Sequence, residues 1–196
     1  MVNGAVQKTA ENGLESAIAR ALAGRSVVLV GMMGAGKSSI GRRLAARLGI
    51  PFVDADTEIE SAAGMTIPEI FEKHGEPYFR AGEARVIARL LDGKPSVLAT
   101  GGGAVMDANT RDLIAAKGIS VWLNADVDVL VKRTKRRTDR PLVEKIKELM
   151  PLREPFYAQS KIVVHSRDEP HDTIVNEIMG ALATHLRIPA AKEQTP

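Results

Sequence analysis

Cysteine is missing from all 196 residues, which excludes disulfides and thiolate metal sites and suits a reducing cytoplasm. Aromatic side chains are scarce, at 4% with one tryptophan, so a nucleic-acid surface built on base stacking is not expected. No apolar run approaches the roughly 20 residues that span a bilayer. Residues 1–13 hold Asn, Gly, Gln, Lys and Glu rather than the apolar stretch of a secretory signal. Histidine is also rare: His74, His165, His171 and His185 are scattered, without the spacing of metal ligands. A cytoplasmic protein with no membrane segment is expected.

Apolar residues make up 44% of the chain, enough for one α/β domain with a well-buried core. The net charge is only +3, but it is unevenly spread. Lys132, Arg133, Lys135, Arg136, Arg137 and Arg140 crowd one short segment, opposed locally by Asp139 alone. Such a run can be a solvated loop, a nucleic-acid patch or a loop that faces phosphates. Without interleaved aromatics the phosphate-facing reading fits better than nucleic acid.

Strand and helix patterns alternate. Apolar runs at Val27–Val30, Pro51–Asp54, Ser96–Thr100, Ile119–Asn124 and Ile162–His165 read as strands. Helical spacing is found over Leu14–Leu22, from Ile40 to Leu48, and over Glu58–Ala63, Glu76–Leu91, Asp107–Lys117, Val127–Thr134 and Pro170–Leu186. Thr66 and Glu69 form a capping box with Pro68 in the first turn, and Gly75 ends that helix. From about Val143 a helical stretch is expected, interrupted by Pro151 and Pro155. The alternation predicts a parallel sheet covered on both faces, with ligands gathered beyond the carboxyl ends of the strands. A single domain is expected over 24–186, after an extension (1–23) with a short helix and before a frayed tail (187–196).

Directly after the first strand runs Gly31-Met32-Met33-Gly34-Ala35-Gly36-Lys37-Ser38-Ser39. This is a full Gly-x-x-x-x-Gly-Lys-Ser phosphate loop, a spelling that arises by chance in roughly one chain of this length in a hundred. Backbone N–H groups of Gly34, Ala35, Gly36, Lys37, Ser38 and Ser39 would wrap nucleotide phosphates. Lys37 would reach the β- and γ-phosphates, and the Ser38 hydroxyl would ligate Mg²⁺. Asp54 and Asp56 close the second strand; on an extended chain both carboxylates can face one side. One could stand behind the metal while the other takes a proton from an attacking hydroxyl, though either could instead cap a helix. Arg80 with Glu83 is either a surface pair or an arginine oriented to clamp a substrate carboxylate. Gly101-Gly102-Gly103 is either a plain turn or a bare stretch of backbone for a small molecule to pack against.

These motifs, in order with Phe79-Arg80, Arg140-Pro141-Leu142 and Arg153-Glu154-Pro155-Phe156-Tyr157, make the chain resemble shikimate kinases from about residue 26 to 186. The resemblance implies a three-layer P-loop kinase fold: a five-stranded parallel sheet, helices on both faces, and a mobile lid at about 132–150. It implies Mg²⁺-dependent transfer of the ATP γ-phosphate to the 3-hydroxyl of shikimate, a step of aromatic amino acid biosynthesis, by a monomer. By the same resemblance Lys37, Asp56 and Arg140 are catalytic. Arg133 lies against adenine near Pro170, and Arg140 swings onto the phosphates. Asp56, Arg80, Arg153 and the glycines Gly101, Gly102 and Gly103 hold shikimate. Phe71 and Phe79 form an apolar wall, and Asp54 stands near the metal, through water. Two departures are visible: a short Arg140-to-Arg153 segment, with Pro151 close before Arg153, and Phe156 where leucine is usual. Another small-molecule kinase on this fold, such as a gluconate kinase, and a nucleotide-binding regulator are the alternatives.

Overall fold

The computed structural model describes residues 13–135 and 142–189. The first helix, α1, covers 13–21. It is followed by β1 (Ser26–Val30), α2 (Lys37–Leu48), β2 (Phe52–Asp54), α3 (Ala55–Ala63), α4 (Ile67–Asp92) and β3 (Val97–Ala99). A 3₁₀ turn over Ala104–Met106 then leads to α5 (Ala108–Lys117), β4 (Gly118–Asn124), α6 (Val127–Lys135), α7 (Leu142–Tyr157), β5 (Ile162–His165) and α8 (His171–His185).

The five strands pair in the order β2-β3-β1-β4-β5, all parallel. β1 is buried along its whole length, which its Ser-Val-Val-Leu-Val spelling dictates: apolar side chains point to both faces, and helices cover both. On one side Val28 pairs with Leu98, and on the other with Ser120. The chain leaves β1 toward β2 and β3, then crosses to β4 on the far side. That reversal opens a crevice at the carboxyl end of β1, where the phosphate loop lies.

Local chemistry explains the flanking elements. Helix α2 buries Ile40, Leu44, Ala45 and Leu48 on one face. Thr66 and Glu69 form the expected reciprocal capping box of α4. Gly75, at φ 78° and ψ 172°, breaks α4 into two helical pieces, as the sequence predicts. A smaller apolar cluster of Ile59, Ile70, Phe79 and Val86 joins α3 to α4.

Two expectations need correction. Helix α3 starts at Ala55, directly after β2, so Asp56 belongs to a first helical turn and not to an extended chain. Asp54 is the N-cap, its Oδ1 accepting from the Asp56 N–H at 3.2 Å, and Asp56 and Glu58 suit the positive helix end. Helix α7 runs unbroken through Pro151 and Pro155. Its buried stripe, Ile146, Met150 and Tyr157, packs into the core. That packing outweighs the two helical N–H donors the prolines remove.

Ile18 of α1 and Leu22 just after it sit in the main core, and the Arg47 side chain of α2 bonds to Glu15 of α1 and Asn176 of α8. Among the described residues no helix is long and apolar enough to cross a membrane. Because Ile18 is fully buried, Ile18→Ala is expected to lower unfolding free energy by about 2–5 kcal/mol. Urea denaturation should show this as a lower midpoint with an unchanged slope.

Candidate active site

The phosphate loop shapes the floor of the site. Gly36 is the N-cap of α2 at φ 97°, a left-handed backbone that costs a residue with a side chain about 1–2 kcal/mol. No side chain caps α2, and no acidic residue stands in its first turn. Its positive end and free N–H groups are therefore left for an anion. Lys37 folds back over the loop, its Nζ donating to the carbonyls of Gly31 at 2.7 Å and Met32 at 3.0 Å. Burial lowers its pKa from the usual 10.5 to about 8, against the opposing pull of Asp56 and Asp54.

Beyond the loop lies a cavity of about 350 Å³. Of the residues singled out in the sequence, Gly34, Gly36, Lys37, Ser38, Ser39, Asp54, Asp56, Gly102 and Arg133 line it, whereas Ala35, Arg80, Gly101, Gly103 and Arg153 are not part of its lining. Ser38 Oγ donates to Asp54 Oδ2 at 2.7 Å. Burial pushes the Asp56 carboxyl above its usual pKa, and nearby Asp54 adds to the shift, while Lys37 and Arg80 pull the other way. Arg133 crosses the rim, donating to Ser166 Oγ at 2.9 Å and to the carbonyls of Ala35 and Arg167.

Gly102 lines the cavity from the turn after β3, and a Cβ at any of the three glycines would crowd a charged side chain. A Cβ on Gly101 would stand 2.6 Å from Glu83 Oε1 and 3.0 Å from Asp56 Oδ1. On Gly102 it would meet Arg153 Nη1 at 3.3 Å, and on Gly103 the Arg80 Nη1 at 2.6 Å. One bare turn therefore gathers two carboxylates and two guanidinium groups that come from α3, α4 and α7.

Arg80 is held from both sides, by Glu83 Oε2 at 2.7 Å and by Glu76 Oε1 at 3.1 Å. Since the Glu83 side chain is 3% exposed, this is an orienting contact and not a surface pair. Burial pushes Glu83 up, and the Arg80 hydrogen bond pulls it down. Phe79 packs against Phe71, ring centroids 4.7 Å apart. Arg140 lies outside the described residues.

Several residues at the site carried no role from the sequence alone, Met33 and Thr100 of the cavity lining among them. His171 lines the cavity from the first turn of α8, with its pKa lowered by burial and by Arg43 and Arg133. Thr134 lines it from α6. Tyr157 donates its hydroxyl to the Gly102 carbonyl at 2.5 Å; the available signals were its place in the Arg153–Tyr157 motif and its i,i+4 spacing from Arg153.

The family model described as shikimate kinase matches residues 33–183. The chain belongs to the shikimate kinase family. It is 61% identical to the shikimate kinase of Bradyrhizobium diazoefficiens over 178 residues, 88% of this chain and 86% of that relative. To the shikimate kinase of Rhodopseudomonas palustris it is 60% identical over 178 residues, 88% of both chains. A solved shikimate kinase from Acinetobacter baumannii, in complex with shikimate, superposes with a TM-score of 0.78 at 38% identity, covering 82% of this chain and 93% of that one. The shikimate kinase family is one of ATP-dependent small-molecule kinases on the P-loop kinase fold, and the chain is such an enzyme.

The depressed Lys37 pKa has a measurable sign. A phosphate held by Lys37 would need the cation, so above about pH 8 each nucleotide bound in that way would also take up a proton. The ADP dissociation constant, followed by titration calorimetry from below to above that pH, is expected to bend upward, toward roughly tenfold per unit. Lys37→Met should weaken binding throughout and remove the bend.

Proposed function

We propose that the chain transfers the γ-phosphoryl group of ATP to the 3-hydroxyl of shikimate, giving shikimate 3-phosphate and ADP, as a cytoplasmic monomer. The observation that carries this reading is the pair of guanidinium groups, Arg153 and Arg80, placed against adjacent glycines 102 and 103. Two arginines at one small turn suit bidentate capture of a compact carboxylate. Asp56, Lys37 and Gly102 join that turn to the phosphate cavity, so the alcohol of a bound hydroxy acid lies within reach of the phosphates.

Lys37 and the amides of residues 34–39 hold the phosphates, while Arg133 borders the nucleobase side. Asp56 Oδ accepts the hydroxyl proton as the oxygen attacks γ-phosphorus. The bond to the bridging oxygen breaks, and its electron pair leaves with ADP. Burial raises the Asp56 carboxyl above its usual pKa, which suits a proton acceptor. Lys37 stabilises the charge spread over the transferring group. Arg140, carried over from the family pattern, adds its positive charge to the hold on the phosphates.

Ser38 Oγ and Asp54 are hard oxygen donors already within 2.7 Å of each other, which fits Mg²⁺ beside a nucleotide. These two residues would hold the ion, Asp54 through water, and Mg²⁺ when bound neutralises phosphate charge. The alternative of a nucleic-acid regulator gains no support from the described basic residues: Lys132 pairs with Asp168, and Arg133 turns into the site.

A coupled assay of shikimate-dependent ADP release tests the reading; folded protein without turnover above background would reject it. Arg80→Ala is expected to raise the shikimate KM at least tenfold, roughly the loss of one charge-assisted contact, with the ATP KM nearly unchanged. Equal loss for both substrates would remove Arg80 from the shikimate side. Asp56→Asn should lower kcat by about 10²–10⁴, and a thermal melt should show the fold intact.

A further inference from the structure

Tyr157 ends α7 one helical turn after Arg153, with its ring 1% exposed. The ring stacks on Trp122 of β4, centroids 5.9 Å apart. Its hydroxyl reaches across 55 residues of sequence to the Gly102 carbonyl at 2.5 Å. The Met32 sulfur of the phosphate loop stands 3.9 Å from that hydroxyl and 3.8 Å from Arg153 Nη1. Phosphate loop, glycine turn and α7 thus meet at one phenol.

The bonded carbonyl belongs to the peptide unit joining Gly102 to Gly103. Arg153 packs against the first of these glycines and Arg80 against the second. A peptide unit is planar, so a bond that fixes the Gly102 carbonyl also fixes the Gly103 N–H and the tilt of the whole unit. The turn is closed by the Ala104 N–H on the Gly101 carbonyl at 3.2 Å and the Met106 N–H on the Gly103 carbonyl at 3.0 Å, and neither of these bonds uses the Gly102 carbonyl. We propose that Tyr157 is a positioning residue for the carboxylate-holding half of the site: its hydroxyl fixes the peptide unit on which Arg80 and Arg153 rest and holds α7 in register with it. Burial raises the phenol above its usual pKa of 10.0, so the hydroxyl stays a donor across the working range of pH. The inference rests on the proposed shikimate reading of Arg80 and Arg153.

Tyr157→Phe removes one oxygen and keeps the ring stack. It leaves a carbonyl without its donor, a loss that corresponds to roughly fivefold or more in an equilibrium constant. The expected result is a shikimate KM raised about fivefold or more, with the ATP KM within about twofold and kcat little changed. A lower melting temperature with both KM values unchanged would overturn the proposal, leaving Tyr157 a core residue. Equal rises in both KM values would overturn it too. Arg80→Ala and Arg153→Ala, assayed alongside, separate the two readings. If they raise the shikimate KM and Tyr157→Phe does not, only the positioning role fails; if none of the three does, the shikimate site itself fails. A second measurement leaves the packing in place. The chain has two tyrosines, so 3-fluorotyrosine labelling gives two ¹⁹F signals, assigned with Tyr78→Phe. The Tyr157 signal is expected to shift on adding shikimate alone, and no shift would overturn the proposal.

Discussion

Space for a side chain is what residues 101–103 lack, and the rest of the site is arranged around that lack. None of the three glycines has a positive φ, so backbone freedom is not why they are there. Contact is. Glu83 and Asp56 crowd the first position, Arg153 the second and Arg80 the third. The bare backbone lets charged groups from three helices draw within a few ångströms of one stretch of chain. The sheet supplies the other requirement. Parallel strands end together, and the β1 loop, the β2 aspartate and the β3 glycines become neighbours without any one of them reaching.

Asp54 illustrates how a local fold rule and a site can use one residue. Its Oδ1 caps α3, and its Oδ2 accepts from Ser38 at the start of α2. The cap fixes where α3 begins, and so where Asp56 points. The same carboxylate steadies the serine of the phosphate loop. At neighbouring Asp56 burial favours the protonated form. Two aspartates two residues apart thus make different contacts: Asp54 caps α3 and binds Ser38, while Asp56 stands beside Gly101.

Much of this was legible in the residues. The phosphate loop, the capping box at Thr66, the break at Gly75 and all five strands follow from short-range patterns. The parallel sheet and its covering helices follow from their alternation. Less legible was whatever depends on distant packing. The α3 boundary turned on whether Asp54 would cap, a choice between two local options for the same residues. The passage of α7 through two prolines depends on core contacts made by Ile146, Met150 and Tyr157. Whether Arg80 and Glu83 formed a surface pair could not be read from i,i+3 spacing; burial of Glu83 decided it. The bond from Tyr157 to Gly102 and the place of His171 in the cavity join segments that no sequence window contains.

The only tryptophan of the chain, Trp122, lies under the Tyr157 junction with its indole N–H buried and without a partner among the described residues. All indole emission therefore originates at a single point, beneath the phosphate loop and beside the helix that carries Arg153. Its wavelength and yield depend on the polarity around one ring. The protein accordingly carries its own optical reporter, and ligand titrations can be followed in unlabelled material.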